Sequence, residues 1–392
     1  MGEWQSRGRD SRSGKGTHAD IGKPVDFLRL MSDFLLFTQT QWSEAPRIRH
    51  QAARMLLDAG HRVFFFERPA YPWAPVRPSV QEVEPRLFMV QTVRFMHHQL
   101  RACAPLHWLN AWVTSTSIRR RLRELPVQEG AVVINFAHDY YFLRRVFPGS
   151  RIITIIHDDF EAQARLPFSS HITWSLKRTC EMSDDVYAVS TPLQERCSAW
   201  SKAKLLLPWS VIPYVAPRPG VQGRDTLLFW GYVDSALDLD LLRRLSAHLL
   251  QMHAGWRILL VGPTQGNGRQ PVIDGLAGCS NIAIQERTAL DDLPLDRTLA
   301  ALLPYRRSKA VDSVTLANKS MQLLARGLPL LISGMPAYIQ RPFIRRVDAP
   351  NGPEPALQAC LQNFDAWQPA IADFVRENTP ESRMALLGIE RA

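Results

Sequence analysis

The residues best suited to chemistry fall into two clusters. Asn318, Lys319 and Gln322 head the stretch Leu316 to Ser333, which reads as a helix of roughly three turns that stops at Gly327 and drops into a buried strand. A helix N-terminus carries unpaired N–H groups and a partial positive charge, so a lysine in its first turn asks for an anion such as phosphate. Gln322 follows one turn later on the same face, where an amide suits a sugar or ribose hydroxyl. A solvated lysine beside an exposed glutamine fits the same periodicity. The second cluster is His157-Asp158-Asp159, which follows the apolar run RIITII. A carboxylate there suits a general base, while either aspartate equally suits capping the helix that follows.

The elements that must hold these clusters are those of an α/β protein. A chain of 392 residues is long enough for at least two cores. With 46% hydrophobic and 21% charged residues it has the balance of a globular protein. The five cysteines show no C-x-x-C spacing, which argues against a zinc site or a disulfide framework and fits a reducing compartment. No apolar run reaches the ~18 residues that span a bilayer, and no signal peptide is apparent, so the expected location is the cytoplasm. Lysine and arginine number 47 against 37 acidic residues, a net charge of +10, which calls for an anionic partner. Nucleic acid is not expected, because no RNP, zinc-finger or helix-turn-helix pattern is present. Anionic lipid and sugar pyrophosphates remain.

Residues 1–25 are polar and basic and are expected to be a disordered tail. The strand DFLLFT, a helix ending at Gly60 and the strand HRVFFFERP then open a doubly wound domain. The loop Gln39 to His50, with Trp42, Glu44, Arg47, Arg49 and His50, lies at the carboxyl end of its first strand, where such folds bind ligands. Between Arg94 and Arg123, tryptophans alternate with arginines around Pro105. This reads either as an interfacial helix for anionic lipid or as two packed helices with a basic outer face. AVVINF and RIITII read as central parallel strands, ending in His138-Asp139 and in His157-Asp158-Asp159. The proline- and glycine-rich residues 214–224 read as a linker. The expected division is an N-terminal domain over 26–213, a C-terminal domain over 225–350, and helices over 351–392. In the second domain TLLFWG is the first strand, residues 262–268 form a glycine-rich loop without the Walker pattern, and Tyr305 follows a strand at its carboxyl edge.

Asn-Lys-x-x-Gln followed by Leu-Leu-Ala-Arg-Gly-Leu-Pro-Leu-Leu resembles the nucleotide-sugar site of GT-B glycosyltransferases. Two more stretches carry the likeness: Asp184 to Ser190, which resembles the Ala-Asp-x-Val-x-x-Val-Ser segment closing many GT-B N-terminal domains, and the Phe-Trp-Gly-Tyr-Val-Asp turn at Gly231. The departures are that Gln322 and Val314 stand where retaining members carry paired glutamates. The Lys-x-x-Gln form is similar to that of the xanthan-type glucuronosyltransferases, which invert the anomeric carbon.

The resemblance implies two Rossmann-like domains facing a cleft. The donor, a nucleotide diphosphosugar expected to be UDP-linked, would meet Gly231, Tyr232, Tyr305, Asn318, Lys319 and Gln322. A lipid-linked or polysaccharide acceptor would meet Glu44, Arg47 and His138 of the first domain. Either Asp158 or Asp159 would be the base, with Asp158 favoured, and no metal or cofactor is called for. Peripheral association with the inner face of the cell membrane would accompany a role in exopolysaccharide or cell-surface glycan synthesis. A nucleotide-sugar epimerase, or a non-catalytic binding protein of the same fold, is the alternative.

Overall fold

The computed structural model describes residues 31–74, 79–97, 100–101, 103–164, 170–263 and 269–392. The expected tail over 1–25 and most of the glycine-rich loop lie outside them.

Two sheets organise the chain. The first has eight strands in the order β3-β4-β2-β1-β5-β6-β7-β8. They are β1 (Asp33–Phe37), β2 (Arg62–Phe66), β3 (Val80–Glu84), β4 (Leu87–Val90), β5 (Val132–Asn135), β6 (Ile152–Ile156), β7 (Asp185–Ala188) and β8 (Lys204–Leu205). All pair in parallel except β3 with β4. The second sheet, entirely parallel, runs β11-β10-β9-β12-β13-β14. Its strands are β9 (Thr226–Trp230), β10 (Arg257–Val261), β11 (Ile282–Gln285), β12 (Thr298–Pro304), β13 (Leu330–Ser333) and β14 (Ile344–Arg346). This is an α/β fold of two Rossmann-like domains, as the sequence predicts.

The apolar runs explain the sheet order. DFLLF, IITII and TLAALLP are buried at every position, which is what a strand covered by helices on both faces requires. Helices α1 (Ile48–Asp58), α2 (Ala104–Leu122), α3 (Leu143–Val146), α4 (Ser170–Met182) and α5 (Thr191–Ser198) serve the first sheet, and α6 (Leu239–Met252), α7 (Arg269–Leu276), α8 (Lys309–Asp312) and α9 (Asn318–Leu324) serve the second. Two helices follow, the long α10 (Glu354–Glu377) and the short α11 (Pro380–Leu387).

Several details differ from the sequence reading. Helix α9 has 7 residues, about two turns, because its N-cap is Ala317 and the chain has already turned at Gly327. Pro105 does not interrupt α2 but starts it, at a first-turn position where the missing N–H costs nothing. The helices over 351–392 divide their allegiance. The apolar face of α10, including Leu357, Phe364, Ile371 and Phe374, fills the core of the second domain, and only α11 and the residues after it pack on the first. There the Tyr187 hydroxyl donates to the Leu386 carbonyl at 2.8 Å, and the Ala392 N–H to Ala59 at 2.9 Å.

Candidate active site

In doubly wound sheets a ligand crevice opens where the strand order reverses, outside the carboxyl ends. The orders above put the two reversals between β1 and β5 and between β9 and β12. The chain leaving β9 is Gly231 and that leaving β12 is Tyr305, while β1 and β5 lead into the loop before α1 and into Phe136 to Asp139.

At the second switch point, the Lys319 side chain lies directly over Gly231. A Cβ at position 231 would fall 1.9 Å from the Lys319 Nζ, and one at Gly262 would fall 1.9 Å from the Gly231 carbonyl oxygen. Only bare backbone allows this packing. The ammonium sits 4.2 Å from the centre of the Phe229 ring and 5.3 Å from that of Tyr305. Gln322 is only 8% exposed, yet neither its Oε1 nor its Nε2 has a partner among the described residues, and the same holds for the Asn318 Oδ1. Buried polar atoms without partners cost about 1 to 3 kcal/mol each, so these amides suit a bound polar group. Tyr232 is half-buried beside Gly231.

Across the interface, the end of β6 carries Asp158 and Asp159 into different surroundings. Asp159, its side chain 4% exposed, accepts two hydrogen bonds from Arg196 at 2.8 and 2.9 Å, one from the Ala162 N–H at 3.0 Å and one from the Ser313 hydroxyl at 2.6 Å. Burial raises its pKa, but Arg196, Ser313 and Ala162 outweigh that and hold it below the usual range. The expectation that Asp159 shares the role of base therefore meets a correction: its lone pairs are occupied and it joins the domains. With Thr191 N–H donating to the Thr315 hydroxyl at 3.0 Å, this contact brings residues 313–315, just ahead of α9, against the first domain.

Asp158 is the carboxylate that remains available, with 40% of its side chain exposed. Its Oδ2 lies 3.1 Å from the His157 Nε2 and 3.7 Å from the Arg49 Nη2. Desolvation raises its pKa, but His157 and Arg49 more than compensate, so it is held below its ordinary value of 3.8. The buried Arg49 also meets the His157 Nε2 and donates to the Thr40 hydroxyl at 2.5 Å. Burial lowers Arg49 to about 10, partly offset by Asp158, and burial together with Arg49 keeps His157 neutral at pH 7.

The residues expected to hold an acceptor are not equivalent. Glu44 pairs with Arg68 and lies 3.7 Å from Arg47, which is itself partly exposed. His138 does not reach the surface: it is 1% exposed and stacked on Phe160 at 4.3 Å, where burial lowers its pKa to about 4. That expectation is corrected, because the buried His138 supports Phe160, which in turn packs edge-on against His157. Asp139 forms a buried ion pair with Arg101 at 2.7 Å. Sequence reasoning missed the pairing of Arg49 with His157 and Asp158, as well as the roles of Arg196 and Ser313, because residues so far apart in the chain carry no local signal of contact.

No protein-family model and no curated protein matches the chain. Among solved structures it is similar to an E. coli trehalose-6-phosphate structure bound with UDP-2-fluoro glucose, at 11% identity and a TM-score of 0.62, covering 91% of this chain and 98% of that one. It is similar to the lipopolysaccharide outer core galactosyltransferase WaaB at 10% identity and a TM-score of 0.60, covering 91% and 99% of the two chains. WaaG, a glycosyltransferase involved in lipopolysaccharide biosynthesis, matches at 12% identity and a TM-score of 0.58, covering 91% and 100%. At such identities the likeness speaks for architecture, and the architecture of this chain is the GT-B fold.

Proposed function

We propose that this chain is a glycosyltransferase that moves a sugar from a nucleotide diphosphosugar to a hydroxyl on a lipid-linked or polysaccharide acceptor, with inversion. The observation that carries the reading is the pairing of Lys319 with the bare backbone of Gly231 at the second switch point, and the first domain adds a partly exposed Asp158 at the carboxyl end of β6. The acceptor oxygen forms its bond to the anomeric carbon and its proton passes to the Asp158 carboxylate. The bond from that carbon to the phosphate oxygen breaks, and the diphosphate leaves with the electron pair. Lys319 neutralises the charge that develops there, while Asn318 and Gln322 offer buried amides to donor hydroxyls. Arg47 and Glu44 line the acceptor side. The structures named above include one bound to a UDP-sugar analogue, which supports a UDP-linked donor. The Lys-x-x-Gln form supports the finer reading of a hexosyl- or glucuronosyltransferase of xanthan type, acting in exopolysaccharide or cell-surface glycan synthesis.

A thermal-shift screen of nucleotide sugars tests the donor. A ligand at about 100 times its Kd adds about 2.7 kcal/mol of stability, and the expected result is a rise in Tm with UDP-sugars and with UDP. Release of UDP that depends on acceptor then separates transfer from epimerisation, which needs none. If no nucleotide sugar moves the Tm, the reading fails.

The reading extends to a membrane surface. No helix among the described residues is long and apolar enough to cross a bilayer. On α2, however, Trp108 is 66% and Trp112 67% exposed, one turn apart and next to the exposed Leu109, and Arg119, Arg120 and Arg123 are exposed beyond them. Arg94 and Arg101 of the same stretch are buried, so the basic face is smaller than the sequence suggests. Rings at headgroup depth and arginines worth about 1 kcal/mol each on anionic lipid fit peripheral binding. We expect co-sedimentation with vesicles containing phosphatidylserine, weakened by salt and by Trp108→Ala with Trp112→Ala. Equal partitioning onto neutral vesicles, or none, sinks the expectation.

A further inference from the structure

The second domain carries another cluster, far from the crevice. His248 lies near the end of α6, His253 is its C-cap, and Glu354 is the first residue of α10. Since α6 returns the chain to the start of β10, the cluster sits at the amino edge of the second sheet, the edge opposite Gly231. The Glu354 Oε2 lies 2.7 Å from the His248 Nε2 and 3.1 Å from the His253 Nε2, and the three ligand atoms fall within 4.8 Å of one another. Among the described residues this is the one group of three such side chains that converges in this way.

We propose that His248, His253 and Glu354 bind one divalent transition-metal ion of the zinc class. Two imidazole nitrogens and one carboxylate oxygen form a donor set for zinc, with a fourth position left for water, and imidazole favours zinc, nickel or copper over magnesium or calcium. Tetrahedral bonds of about 2.0 to 2.2 Å separate ligand atoms by about 3.3 Å, so the two histidine–carboxylate contacts need open only slightly to admit the ion. The surroundings hold the ligands in place. The Gln358 Nε2, one turn along α10, donates to the other oxygen of Glu354 at 2.7 Å, and Trp256 stacks on His253 at 4.5 Å between centroids. Metal-ligating side chains are oriented by such partners. All three ligands are partly exposed, at 22%, 12% and 29%, so an ion can enter from solvent.

The site clamps α6 to the first residue of α10, the helix that completes the core of the second domain and leads on to α11 against the first. Its task is structural or regulatory, because the edge it occupies is the one away from Lys319.

Calorimetric titration of the chelator-treated full-length protein with zinc chloride tests this. The expected result is one equivalent bound with a rise in Tm, lost in His248→Ala and Glu354→Gln. Gln358→Ala, which keeps all three ligands, should weaken binding by about 10- to 100-fold. His253→Gln keeps a hydrogen bond to Glu354, so an unchanged circular dichroism spectrum with zinc binding lost separates metal ligation from folding. Absence of stoichiometric binding by the wild type, or equal binding by His248→Ala and Glu354→Gln, overturns the proposal.

Discussion

Replacing Asp158 by Asn lowers turnover by about 10²- to 10⁴-fold and leaves donor affinity and Tm close to wild type. The two effects separate because the side chain is 40% exposed. A partly exposed ion pair contributes about 0 to 1 kcal/mol to stability, whereas the lost proton transfer is worth about 3 to 5 kcal/mol of barrier at 1.36 kcal/mol per tenfold. Asp159→Asn reverses the pattern. It weakens the hydrogen bonds from Arg196 and Ser313, and bonds to a charged group are worth about 1.5 to 3 kcal/mol each, so Tm falls while turnover stays nearer wild type. Turnover, donor affinity and melting temperature of the two variants together make the test. Near-normal turnover by Asp158→Asn removes Asp158 from the role.

The pH profile follows from the same contacts. Asp158 is held below 3.8, so it is already ionised throughout the neutral range, and if it is the proposed base, turnover should show no inflection there from its charging. A carboxylate of low pKa still accepts the proton, because the hydroxyl becomes acidic as its oxygen bonds to the anomeric carbon. His157 and Asp158 both have folded pKa values below their ordinary ones, so each contributes stability that is present above its unfolded pKa and lost as the pH falls through the folded value. For His157 the window opens below its ordinary 6.5, and for Asp158 below 3.8. Acid therefore costs stability through the histidine before it protonates Asp158.

What could be read from the sequence depended on range. AVVINF and RIITII announce central strands because burial on both faces leaves an unbroken apolar run, and β5 and β6 lie side by side within the first sheet. Lys319 was legible from its place in a helix's first turn and Gly231 only through family resemblance, and the structure brings the two together although they are 88 positions apart in the numbering. Pairings between distant charges were not legible. Arg94 and Arg101 look like surface charges until Gln39 and Asp139 are folded against them. Asp158 and Asp159 are identical in sequence terms, yet pleating turns neighbouring side chains of an extended segment apart. One meets Arg196 and Ser313 and the other faces Arg49 and solvent. The pair β3 and β4 was also missed, because VQEVE is exposed edge strand with no apolar face.

Lys319→Ala should weaken binding of both the nucleotide sugar and the free nucleoside diphosphate by about 10- to 150-fold, the equivalent of the 1.5 to 3 kcal/mol of a charged hydrogen bond. Equal losses for both ligands are the signature of a phosphate contact, since the sugar is absent from one of them. Gln322→Ala removes a neutral amide worth about 0.5 to 1.5 kcal/mol, so its loss should be smaller and confined to ligands that carry the hydroxyl it meets. Gly231→Ala gives an independent check. The new Cβ would fall 1.9 Å from the ammonium and push it off its seat, so the variant should mimic Lys319→Ala while keeping the lysine. In the double variant the two losses should not add, because both remove the same contact. The competing account is that Lys319 is held only by the Phe229 and Tyr305 rings, 4.2 and 5.3 Å from its Nζ. Such cation–π contacts are worth about 0.5 to 1 kcal/mol at an exposed site, enough to shift Tm slightly and with no effect on ligand affinity. Calorimetry on the three variants decides between them: a stability loss with unchanged nucleotide affinity makes Lys319 a packing residue, and a common affinity loss for sugar nucleotide and diphosphate makes it the cation on which the leaving group departs.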